Sequence, residues 1–74
     1  MATSLFNTAR DICHGVLESR MVARMETEGR ALTDYETAKE CEYLLETIDY
    51  SGYDRDEIAN IKRACRHIIK RYVK

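Results

Sequence analysis

Two histidines, His14 and His67, and three cysteines, Cys13, Cys41 and Cys65, are the side chains here best suited to chemistry. Histidine titrates near neutral pH and serves as acid, base or metal ligand. A thiolate serves as a nucleophile or a zinc ligand. Their spacing gives that chemistry little to work with. The cysteines are 28 and 24 residues apart, with no close pair of the kind zinc sites use. Neither histidine lies beside a nucleophile or an orienting carboxylate motif. His67 sits among Arg66, Lys70 and Arg71, which suits an anion contact better than catalysis. The stretch Asp49-Tyr50-Ser51-Gly52-Tyr53-Asp54 faintly resembles calcium-ligand spacing, but the other ligands of such a loop are missing. The pattern assigns no catalytic residue, no metal and no cofactor, and the chain reads as a non-enzyme.

The elements that carry these residues read as helices. Seventy-four residues fit one domain with a thin core. The chain is 45% hydrophobic and 34% charged, which argues for a folded protein and against disorder. It has no proline and only three glycines, so little interrupts a helix. No apolar run approaches the ~20 residues that span a bilayer. Met1 to Phe6 lack the basic and apolar regions of a secretory signal. Three cysteines without paired spacing argue against a disulfide framework and for a reducing cytoplasmic setting.

The resulting expectation is an all-α, small three-helix bundle with helices near 4–27, 34–48 and 55–72. Gly29 ends the first helix. Thr33 and Glu36 form a capping box for the second, and Asp54 with Glu57 repeats the device for the third. The third has the clearest apolar stripe, through Ile58, Ile61, Cys65, Ile68, Ile69 and Tyr72. The second buries Ala38, Cys41, Leu44, Leu45 and Ile48 and leaves Glu36, Glu40 and Glu46 facing elsewhere. Each cysteine falls on one stripe and reads as a small core hydrophobe.

The first helix is inconsistent with itself. Leu5, Phe6, Ala9, Ile12, Cys13, Val16 and Leu17 share one face, but Arg20 and Arg24 continue it while Met21, Val22 and Met25 move to the other side. Either the helix kinks near Ser19, with Gly15 weakening the region, or its last turns extend beyond the core. The second alternative makes Met21, Val22 and Met25 a self-association surface and the protein a homodimer.

Charge is sorted along the chain behind a net charge of −1. Residues 33–57 are strongly acidic. Residues 58–74 carry Lys62, Arg63, Arg66, Lys70, Arg71 and Lys74 and no acid. Last-turn cations complement the helix dipole, but that effect fades before Lys62 and Arg63. Those two need either the acids of the second helix or an external anion. The expectation is a cytoplasmic binding protein that regulates or inhibits by occupying a surface of a protein or nucleoprotein complex, not a membrane. Small freestanding chains of this kind include those encoded by phages and mobile elements. The contact residues are Arg63, Arg66, Lys70 and Arg71, with Tyr50 and Tyr53 as anchors. Two alternatives are a dimeric nucleic-acid-binding regulator that uses the basic helix and an oligomer that binds an anionic nucleotide.

Overall fold

Ser4 starts the first helix, because its hydroxyl accepts a hydrogen bond from the Asn7 amide at 3.2 Å. The computed structural model describes residues 4–13 and 15–73. His14 and Lys74 therefore lie outside the described residues. The elements are α1 (Leu5–Ile12), α2 (Val16–Glu28), α3 (Asp34–Thr47) and α4 (Arg55–Val73). All regular structure among the described residues is helical, which agrees with the all-α expectation. The count does not: the long first helix is two helices.

The break is at Gly15, not Ser19. Gly15 has φ +57° and ψ −121°, the mirror image of ordinary extended backbone and a region that glycine alone adopts readily. The reason lies in the phase of the apolar residues. At about 100° per residue, a continuous helix would carry Met21 roughly a third of a turn away from the face of Leu5, Phe6 and Ala9. Breaking the helix resets that phase. α1 then buries Leu5, Phe6 and Ala9, and α2 buries Leu17 and Met21.

Met21 is only 1% exposed, and Met25 packs against the core from its edge. The exposed methionine patch expected from the sequence is therefore absent here, and with it the motive for self-association through Met21, Val22 and Met25. Val22 is half-buried.

The remaining boundaries follow local chemistry. Gly29 closes α2 in the left-handed conformation, with its amide donating to the Met25 carbonyl at 2.8 Å. Thr33 Oγ1 accepts from the Glu36 amide, and Glu36 Oε1 accepts from the Thr33 amide at 2.9 Å. Asp54 and Glu57 exchange the same pair of bonds ahead of α4. Asp34 Oδ1 accepts from the Leu5 amide at 2.9 Å, which ties the start of α1 to the start of α3.

α3 and α4 form the most extensive helix pair, and α1 and α2 close over them. Cys13, Cys41 and Cys65 are buried free thiols in this core. Burial pushes the Cys13 thiol pKa up. A hydrogen bond with Cys65, together with burial, raises that of Cys41 well beyond the usual thiol range.

Two measurements check this fold. Gly15→Ala places a side chain in a strained backbone region with nothing within 4 Å to clash with it. A loss of about 1–3 kcal/mol is expected, read as a Tm drop of about 4–8 °C per kcal/mol in a thermal melt. A thiol reagent should label all three cysteines rapidly only after denaturation; rapid labelling of the native protein would contradict the packing.

Candidate functional site

Two acids of α3, Glu36 and Glu40, are met by arginines of α2 and of the loop that follows it. Glu40 is the one carboxylate among the described residues that is buried, with its side chain 11% exposed. Its Oε1 accepts from Arg20 at 3.0 Å and its Oε2 from Arg24 at 2.7 Å. Arg24 also reaches Glu28 and Glu36. Arg30 grips both oxygens of Glu36, at 2.8 and 2.9 Å. Glu36 and Glu40 do fall off the apolar stripe, as the sequence implies, yet Glu40 is buried there between α2 and α3. The pairing also explains why Arg20 and Arg24 continue an apolar face: they flank the line of Leu17 and Met21 and meet the acids of the neighbouring helix. Paired charge-assisted hydrogen bonds offset the desolvation of Glu40.

The Arg30 guanidinium, aided by the Thr33 amide, holds the Glu36 carboxyl at about 2, below its ordinary 4.5.

The cations of α4 have no such partners. Arg55, Lys62, Arg63, Arg66, Lys70 and Arg71 form no ion pair among the described residues. Ile61, Ala64, Cys65 and Ile68 turn the other side of the helix into the core. Arg63, Arg66, Lys70 and Arg71 are all exposed. Arg63 donates only to Asn60 Oδ1 on its own helix, at 3.2 Å. On the helical wheel Arg55, Ala59, Arg63, Arg66 and Lys70 line one outward ridge, about 22 Å long at 1.5 Å per residue. Arg71 lies apart from it, with Leu5, Asp34 and Tyr72 around a small surface hollow.

Two grooves run along this ridge. One is bounded by Arg55, Ile58, Ala59, Lys62, Arg63 and Arg66. The other, of about 390 Å³, lies between α1 and α4 and is lined by Ile12, Asn60, Arg63, Ala64 and His67. His67 is exposed at its rim.

Tyr50 and Tyr53 are less available than the sequence suggests. Tyr53 packs against the core edge, and Lys62 Nζ lies 5.1 Å from the centre of the half-buried Tyr50 ring. The Tyr50 hydroxyl is buried with no hydrogen-bond partner among the described residues. Asp49 Oδ1 accepts from the amide and hydroxyl of Ser51, so the calcium-like spacing there forms a local turn. No three His, Cys, Asp or Glu side chains among the described residues converge as metal ligands. No described helix is long and apolar enough to cross a membrane.

One surface was not anticipated. Tyr35 and Tyr43, two turns apart on α3, are 56% and 52% exposed. Tyr35 meets Tyr72 edge-on with ring centres 6.2 Å apart, and Arg20 lies 4.9 Å from the centre of Tyr43. The i, i+4, i+8 series Tyr35, Lys39, Tyr43 was the signal for it in the sequence.

Comparison with known proteins adds no relative: no family model matches the chain, and neither a curated protein nor a solved structure does.

The Glu36 pair gives a pH prediction. Its folded pKa is depressed, so its stabilisation is complete above about pH 4.5 and lost as pH falls towards about 2. Tm measured across that window should fall less steeply in Glu36→Gln than in the wild type.

Proposed function

We propose that the protein is a non-enzymatic binding protein that acts by covering an anionic surface of a macromolecular partner with the outer ridge of α4. The observation that carries this reading is the division of charge partners. Arg20, Arg24 and Arg30 engage Glu36 and Glu40, while the cations of α4 form no ion pair among the described residues. Pairing with the protein's own acidic helix was the competing explanation for Lys62 and Arg63, and the ion pairs do not support it. Arginine at two ridge positions, Arg63 and Arg66, suits bidentate contact with carboxylates or phosphates. Lys70 extends the ridge, and Arg71 lies to one side of it. The Ile stripe behind the ridge is committed to the core, so the helix presents charge outward without exposing a large apolar face. A regulator or inhibitor that blocks a partner's surface needs nothing more than such a shape and charge. Tyr50 and Tyr53 support the start of α4 in this reading, rather than reaching out as anchors.

Reversal of two charges tests the proposal. Arg63→Glu with Arg66→Glu should leave Tm within the range of ordinary surface substitutions, about 0.5 kcal/mol, because neither residue has an ion-pair partner to lose. The wild-type chain, used as bait in a nuclease-treated lysate of its source cells, should retain a partner that the double variant does not. Equal retention by the variant, or a lowered Tm with retention intact, would refute it.

A further inference from the structure

We infer that the α4 ridge recognises an acidic peptide segment of a protein, one that seats a bulky apolar side chain in the groove between α1 and α4 and sets carboxylates against Arg63, Arg66 and His67. This rests on the reading of α4 as the partner-binding face and names the chemistry of that partner. The groove has an apolar floor, from Ile12 and Ala64, and a polar rim, from Asn60, Arg63 and His67. Its volume of about 390 Å³ falls at the small end of ligand pockets, which span about 300–1,000 Å³, so one large side chain fits in it. Ile12 is only half-buried, so covering it removes further apolar surface from water. Arg63 spends one contact on Asn60 and keeps its other guanidinium donors free.

Charge complementarity selects the occupant. Arg63 on the rim and Arg66 beside it form no ion pair among the described residues, so an incoming carboxylate meets unpaired donors. A phosphate backbone fits less well. Acidic Asp54, Asp56 and Glu57 stand exposed at the start of α4, and the net charge is −1. They leave a short cationic run at Arg63, Arg66 and Lys70, and backbone affinity grows with the number of phosphates neutralised. A phosphate backbone also brings no apolar group for the floor. The groove has a direction as well. A neighbouring hollow, sharing Asn60, is lined by Gly15, Val16, Tyr53, Glu57 and Ile61. The peptide's acids therefore belong at the Arg63 and His67 end, away from Glu57.

A random peptide display library panned on the full chain tests this directly. Enriched peptides should carry a large apolar residue with Asp or Glu close to one side of it. In solution, Arg63→Glu and Ile12→Asn should each weaken a synthetic copy of the selected peptide by about tenfold or more, while Lys39→Glu on α3 should not. Arg63→Glu alters an exposed residue, so its effect stands even where Ile12→Asn lowers Tm. Enrichment without acidic residues, or peptide binding indifferent to Arg63→Glu, would overturn the inference. So would a short DNA duplex that displaces the peptide and binds in an Arg63-dependent manner. If either result comes with loss of the lysate partner in the Arg63/Arg66 double variant, the peptide inference fails and the α4 reading stands. If that partner is retained as well, both fail.

Discussion

Everything in this fold depends on a backbone geometry at one residue. Gly15 turns the chain through a conformation that an L side chain resists, and the helix that would have run through it becomes α1 and α2. That turn lets Met21 join Leu17 in the core and brings Arg20 and Arg24 alongside α3. There they meet Glu40, whose carboxylate would be costly to bury alone. The elbow and the charge clamp thus support each other. Without the turn the arginines lose their acid, and without the arginines Glu40 cannot lie where α2 packs.

The core is thin, and its residues suit that. Cys13, Cys41, Cys65 and Ala9 are small, which lets the helices approach closely. Larger side chains such as Phe6, Leu17 and Ile68 fill the space around them. Burial holds the Cys13 thiol protonated, and the hydrogen bond with Cys65 together with burial does the same for Cys41, which keeps these two side chains apolar and unreactive.

Much of this was legible in the sequence where the signal is local. The Thr33–Glu36 and Asp54–Glu57 boxes and the stop at Gly29 depend on residues a few positions apart, and each is present as read; of the α4 stripe, Ile61, Cys65 and Ile68 are buried, Ile58 and Ile69 are half-buried, and Tyr72 at its end is exposed. The conflict in the first helix was also visible, but not its resolution. A phase mismatch says that a helix must break without saying where, and Gly15 competes with Ser19 until the dihedral angles are known. The position of Glu40 in the core was not legible, because a helical wheel shows only one helix. Its burial depends on arginines that arrive from α2. That the α4 cations form no ion pair among the described residues depends likewise on where the α3 acids are already engaged, a tertiary fact that sequence order cannot supply.

That partition of charge has an evolutionary side. α4 is held to the body of the protein chiefly by Ile61, Ala64, Cys65 and Ile68, and its outer residues take no part in the ion pairs among the described residues. Substitutions along the ridge are therefore nearly neutral for folding, whereas changes at Arg20, Arg24 or Glu40 are not. If the ridge meets a partner as proposed, Arg63, Arg66 and Lys70 can be replaced step by step to follow it while the other three helices stay fixed. The side chains that fold the protein and those that α4 turns outward are thus largely separate sets, and a change in one leaves the other in place.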